Sequence, residues 1–242
     1  DKNDKIINIS LKVPQLDIST NILIENIDNF KTFKGIINFE ILNNFFQFNL
    51  IKEKNITIDK GFVRSNLTNF SFEGDASFKP FFSFNFDIQR SSLDTKKLFL
   101  IIKQKFFSEN FSAIEIIKKI DGSLNFKNTP KGKVVFRNRE VSFQNFELDK
   151  EKNILFNAQI SEFGEKGKIQ FNLINKIKKI NIYGFIIPSS LKVNFKKIIF
   201  ENEIFTEDKI KKYEKKFKKE VISNSAGNIL DEIKLYNFFE NF

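Results

Sequence analysis

The chain has 242 residues, with 33 Phe, three Tyr and no Trp, Met, Cys or His. Lys and Arg number 40 against 30 Asp and Glu, a net charge of +10. These figures exclude disulfides, thiolate nucleophiles, zinc–thiolate sites and every histidine-based acid, base or metal ligand, and they leave enough length to bury a substantial core.

The alternation begins at once. Residues 5–13 place Ile7, Ile9, Leu11 and Val13 at every second position, a strand that Pro14 ends. Residues 18–33 are punctuated by Asn and Asp and read as irregular, with a short strand around 22–24. Gly35 opens a meander of 35–42, 45–51 and 56–58, with a Lys-Glu-Lys-Asn turn at 52–55. Gly61 begins the next strand, and 70–73 continue the pattern. After Pro80, Phe82, Phe84, Phe86 and Ile88 alternate without a break.

The period then changes. Residues 93–107 carry apolar side chains at 98, 99, 101, 102 and 106, which predicts a helix that Asp94 can cap. Residues 112–120 read as a second short helix, with Ser112 and Glu115 as a capping box and Gly122 as its stop. From Gly122 the alternation of period two returns through Leu124/Phe126, Val134/Phe136, Val141/Phe143, Phe146/Leu148, Ile154 to Ile160 and Ile169/Phe171/Leu173. Two further strands follow at 178–187 and 191–205. The second slips parity between Phe195 and Ile198, as a bulge would cause. Thr206 precedes an amphipathic helix over 207–222 with Ile210, Tyr213, Phe217 and Val221 on one stripe. A polar break at 223–228 leads to a last helix to Phe242.

The organisation expected is therefore a first β block (1–92), a helical interlude (93–121), a second β block (122–205) and C-terminal helices (206–242), joined in one fold. Gly35-Ile-Ile-Asn-Phe39 matches Gly132-Lys-Val-Val-Phe136, and both lead to a Lys-Glu-Lys-Asn-Ile turn, so the blocks read as repeats of one β unit.

Nothing in the chain carries the spacing of a nucleophile elbow, a zinc-protease helix or a phosphate loop. The segment 129–133 is a turn between strands. The carboxylate pairs Glu73/Asp75 and Glu147/Asp149 fall where solvent-facing acids fall, so no enzyme activity, cofactor or metal is expected. The basic excess is almost all Lys, the arginines being Arg64, Arg90, Arg137 and Arg139. Lys, Asn, Ile and Phe share AT-rich codons, which is one source of the bias. As point charges the lysines suit an anionic membrane surface, whereas base or planar phosphate recognition favours Arg; no nucleic-acid partner is expected. The lysines of 207–222 read as the solvated face of a capping helix, with membrane-surface contact as the alternative. No apolar run approaches the about 20 residues a membrane-crossing helix needs. With no Met anywhere, Asp1 is expected to lie inside a longer polypeptide, whose leader or anchor would lie upstream.

The Phe-rich strands admit two readings: an ordinary sandwich core, or an apolar groove on one open sheet that holds acyl chains. Gly122-Ser-Leu-Asn-Phe126, Gly132-Lys-Val-Val-Phe136, Val141-Ser-Phe-Gln-Asn-Phe-Glu-Leu148 and Gly167-Lys-Ile-Gln-Phe171, with the earlier Phe70–Phe78 and Pro80–Ile88 runs, resemble the C-terminal region of AsmA-like proteins (the AsmA/TamB/YhdP group). The resemblance spans most of residues 35–205. It implies a mainly β fold, a long twisted antiparallel sheet forming an open, taco-like groove. It also implies a non-enzymatic envelope protein, anchored in the inner membrane and facing the periplasm, that conducts phospholipid between membranes and supports outer-membrane assembly. The groove residues expected are Phe82, Phe84, Phe86, Val134, Phe136, Ile169, Phe171 and Leu173, from the cleanest alternations. The alternative is a β-sandwich interaction module at the cell surface that moves no lipid.

Overall fold

The computed structural model describes residues 6–13, 18–28, 32–41, 44–64, 68–77, 82–93, 95–107, 118–128, 131–148, 151 and 153–242. The protein is mainly β, with one helix between strands and further helices at the C-terminus, as the alternation predicts. It divides into two compact units, Asp1–Leu93 with Gly122–Lys127, and Asp94–Asp121 with Asn128–Phe242.

The first unit holds β1 (Ile7–Val13), β2 (Ile18–Asp28), β3 (Thr32–Ile41), β4 (Asn44–Lys52), β5 (Ile56–Arg64), β6 (Thr68–Ser77) and β7 (Phe82–Leu93). Each is antiparallel to the next. The stretch expected to be irregular is the 11-residue strand β2. Its Asn and Asp misled because asparagine disfavours strands in isolation. Here Asn21 stands in a cross-strand row, Ser10–Asn21–Asn38–Gln47, on the polar side of the sheet. Ser10 donates to the Asn21 amide oxygen, and Gln47 Nε2 donates to Asn38 Oδ1 at 3.1 Å.

The sheet is not wholly antiparallel. The last strand of the first unit, β8 (Ile120–Phe126), lies next to β7 and runs in the same direction. Its contacts climb both strands together: Ser123 Oγ donates to Asn85 Oδ1 at 2.6 Å, Asn125 Nδ2 donates to Asp87 Oδ1 at 3.0 Å, and the Lys127 N–H donates to the Ile88 carbonyl at 3.0 Å. A parallel neighbour needs a crossover connection, and the segment between β7 and β8 contains α1 (Thr95–Phe106). The expected helix over 112–120 falls mostly on 108–117, outside the described residues. Residues 118–119 form a turn, and Gly122, expected to stop that helix, lies inside β8.

The second unit contains α1 and the antiparallel strands β9 (Gly132–Arg137), β10 (Glu140–Glu147), β11 (Ile154–Glu162), β12 (Lys168–Asn175), β13 (Ile180–Ile187), β14 (Lys192–Phe200) and β15 (Glu203–Ile204). The parity slip is a bulge: Tyr183 pairs with Lys197 and Gly184 with Phe195, so Lys196 is the extra residue. Neither unit closes its sheet; among the described residues β1 pairs only with β2, and β15 only with β14.

The C-terminal helix α2 (Glu207–Phe217) gives way to a π-helical segment, Lys218–Ser223, where one continuous α-helix to 222 is expected. Thr206 stands at the N-cap with extended backbone but makes no side-chain cap. The last helix is α3 (Glu232–Glu240), capped by Asp231, whose carboxylate accepts from the Lys234 N–H. The expected stripe does the packing: Phe217 and Val221 are fully buried, and Tyr213 stacks on Phe242 with ring centroids 4.1 Å apart. The Phe195 N–H on β14 donates to the Glu214 carboxylate at 2.8 Å, which fixes α2 to the strand.

The polar ladder on β7 and β8 makes a prediction about acid. The Lys127 ammonium lies 3.0 Å from Asp87 Oδ2. Its hydrogen bond, with that of Asn125, holds the Asp87 carboxyl below the usual range against the opposing effect of burial. A carboxyl lowered by folding adds stability above its unfolded pKa of about 3.9 and loses it as pH falls through the folded value. The pair is half-exposed, so the gain is small. Wild type is expected to exceed Asp87→Asn in urea midpoint near neutral pH, and the gap is expected to close below pH of about 3.9. A gap that is unchanged at low pH would contradict the assignment.

Candidate apolar binding face

Register decides which residues share a face, because one residue of slip exchanges the two sides. In the first unit the ladders align an apolar row across seven strands: Ile9, Ile22, Ile37, Phe48, Gly61, Phe72 and Ile88. A second row on that face joins Ile7, Ile24, Gly35, Leu50, Ile58, Gly74 and Phe86. A third joins Lys52, Ile56, Ala76 and Phe84. The intervening residues, among them Ser10, Asn38, Gln47, Asp75, Asn85 and Asp87, lie on the other side. Glu73 and Asp75 are there too, and Asp75 accepts from Thr57 Oγ1 at 2.9 Å. That is the place expected of solvent-facing acids; Asp149 lies outside the described residues.

The described residues of the first unit form strands and turns, with no helix of that unit laid over the apolar face. Ile58, Val63, Phe72 and Ile88 are buried at its centre, and Phe46, Phe48, Phe70, Phe86, Leu124 and Phe126 pack around them half-buried. The gradient continues outward to Ile9 and Leu11 on β1, which are 45% and 56% exposed.

Glycine shapes this face. A Cβ on Gly61 would come within 2.5 Å of the Phe72 ring, and one on Gly122 within 2.6 Å of the Phe84 ring. Each ring therefore lies over a glycine of the neighbouring strand, a known way of covering strand glycines. Laid down in this way, the rings meet edge to face, Phe48 to Phe72 at 5.9 Å and Phe72 to Phe86 at 5.5 Å.

The eight expected groove residues fall in different surroundings. Phe82, Phe84 and Phe86 are half-buried on β7 in the first unit. Their rings follow one another at 5.7 Å and 5.2 Å. Val134 and Phe136 lie on β9, buried and half-buried. Ile169, Phe171 and Leu173 lie on β12 and are buried. In the second unit the face that carries them is packed by the chain's own helices: Phe217 of α2 stacks on Phe171 at 6.3 Å, approaches Phe195 at 5.2 Å and meets Phe238 of α3 at 5.0 Å. Sequence reasoning did not single out Phe46, Phe48, Phe70 and Phe72, although the alternation marks them. What the sequence lacked was the register that fixes their side.

Lys209, Lys211, Lys212 and Lys215 on α2 are exposed. Lys209 lies over the Phe205 ring at 5.2 Å. Among the described residues, no group of His, Cys, Asp and Glu is arranged to hold a metal ion, and no helix is long and apolar enough to cross a membrane. Comparison with known protein families, with curated proteins and with solved structures returned no match.

Proposed function

We propose that the apolar face of the first unit binds the acyl chains of phospholipid and that the protein is a non-enzymatic lipid-handling component of a cell envelope. One observation carries the reading: three aligned rows, apolar but for Lys52, cover one side of the sheet, the other side mixes polar residues with Leu23, Ile36, Phe45, Ile51 and Phe62, and among the described residues the unit supplies no second layer of its own. An apolar surface of this extent calls for an occupant. Acyl chains gain about 0.8 kcal/mol per methylene removed from water. The resemblance to AsmA-like proteins adds the setting of that proposal, a periplasmic protein anchored in the inner membrane that passes phospholipid toward the outer membrane.

The test is native mass spectrometry of the purified protein, with lipid extraction from the same sample. Co-purified phospholipid is expected, and Phe48→Glu and Phe86→Glu are expected to remove most of it while circular dichroism stays unchanged. A lipid-free wild-type mass, or lipid retained in both folded variants, would overturn the reading. The second reading, an interaction module that moves no lipid, draws on the second unit, whose apolar face is packed by α2 and α3 as in an ordinary domain. It predicts the lipid-free result.

A further inference from the structure

We infer that the outer face of α2, continued by the π-helical segment after it, is a docking surface for an anionic lipid bilayer, whose headgroups its lysines meet. Residues 207–219 carry seven lysines against three acids. Glu207 and Asp208 sit in the first turn, where they meet the positive end of the helix. Beyond that turn the acid is Glu214, turned inward to accept from the Phe195 N–H of β14. Two lysines are also engaged: Lys209 lies over the Phe205 ring, and Lys216 donates to the Asn241 carbonyl. Lys211, Lys212, Lys215, Lys218 and Lys219 remain, all exposed. Lys212 comes within 6.0 Å of the Tyr213 ring centre, and among the described residues none of the five forms an ion pair.

Their spacing is the second observation. Lys211, Lys215 and Lys219 follow one another at every fourth residue, and Lys212 stands three before Lys215. Those spacings bring side chains together on a helix, and like charges there weaken it, whereas a face that meets only water gains from Glu–Lys pairs. A surface of opposite charge relieves the repulsion. Two features select a bilayer as that surface. The arginines, Arg64, Arg90, Arg137 and Arg139, all lie outside this helix, and bases and planar phosphate contacts are read by Arg. The outer face also lacks an aromatic side chain to stack on a base or anchor a protein partner, because Tyr213 and Phe217 turn inward to Phe242 and Phe171. What is left is a convex row of point charges on flexible stems, which suits a planar array of mobile anionic headgroups.

The protein is expected to sediment with vesicles of equal parts phosphatidylcholine and phosphatidylglycerol and not with vesicles of phosphatidylcholine alone. It is expected to come off as salt rises toward about 1 M, where the screening length is about 3 Å. Each lysine near an anionic surface contributes about fivefold, so Lys211→Gln with Lys215→Gln is expected to weaken binding about 25-fold. Lys192→Gln with Lys197→Gln removes the same charge from β14. Both lie on the side of the sheet away from α2, opposite in parity to the buried Val193, Phe195 and Ile198, and their loss is expected to leave binding near wild type. Four results would overturn the inference: no binding to either vesicle; equal binding to both, which would place the contact on an apolar face; equal losses in the two folded double variants, which would make net charge the cause; and binding to a single-stranded oligonucleotide that anionic vesicles fail to displace, which would put nucleic acid in the bilayer's place. The inference stands apart from acyl-chain binding by the first unit: a lipid-free native mass overturns that reading and leaves the vesicle result as expected here.

Discussion

Phe217→Ala is expected to cost about 3–5 kcal/mol, the range for removing a large aromatic from a closed core. Phe217 is fully buried, and three rings from three elements meet it, Phe171 on β12, Phe195 on β14 and Phe238 on α3. Strand positions cannot move inward to fill the space, and α3 reaches the sheet partly through this ring. The cavity would therefore persist. All three tyrosines, Tyr183, Tyr213 and Tyr236, lie in the second unit, and the chain has no Trp. Tyrosine emission during urea unfolding thus reads this unit alone. Tyr236→Ala, at a largely exposed position of α3, serves as the contrast and is expected to stay within about 0.5 kcal/mol of wild type. Similar losses in the two variants would mean that Phe217 does not join the helices to the sheet.

Gly74→Ala is expected to destabilise the first unit by about 2–4 kcal/mol, through backbone strain and overpacking together. Gly74 has φ +144°, a conformation L side chains rarely adopt, and an added methyl would overlap the carbonyl oxygen of Asn85 on β7. Its place explains the conformation: Gly74 pairs with Ile58 beside a bulge, where Asp59 and Lys60 of β5 stand opposite the single residue Glu73. Gly164 is the comparison. It also has positive φ, +81°, but a Cβ there meets nothing within 4 Å, so Gly164→Ala is expected to cost only the conformational term, about 1–2 kcal/mol. Hydrogen exchange at the β5–β7 amides is the measurement for the first unit. Protection unchanged in Gly74→Ala would show that the ladder relaxes around the methyl.

Most of this architecture was legible because period two is a strong signal wherever turns interrupt it. β7, β9 and β11 to β13 are where their apolar positions require, and the slip at Lys196 announced its own bulge. Three features were not legible, each for a physical reason. Asn21 and Asn38 lower the strand propensity of their segments, and the row they form with Ser10 and Gln47 exists only once four strands are aligned. Gly122 carries the signature of a helix stop, yet its role is to lie beneath the Phe84 ring. That contact joins residues 38 positions apart, as does the parallel pairing of β7 and β8. The candidate site was half legible. Phe82, Phe84 and Phe86 were named from their own strand, but Phe46, Phe48 and Phe72 share their side only through registers that no single strand contains. Conversely, the alternation of Ile169, Phe171 and Leu173 was clear, while their cover comes from Phe217, more than 40 residues later.

That late cover has a consequence for synthesis. A chain emerges from the ribosome in order, and domains form as their parts appear. β12, β13 and β14 end at Phe200, whereas Phe217, Leu235, Phe238 and Phe239 come after them. While those last residues are still in the exit tunnel, Leu173, Ile182 and Ile198, fully buried in the finished protein, have no helix above them. The nascent second unit is therefore a sticky, half-built sheet until α2 and α3 have left the tunnel. It is at that moment, and not in the mature protein, that a chaperone has most to protect.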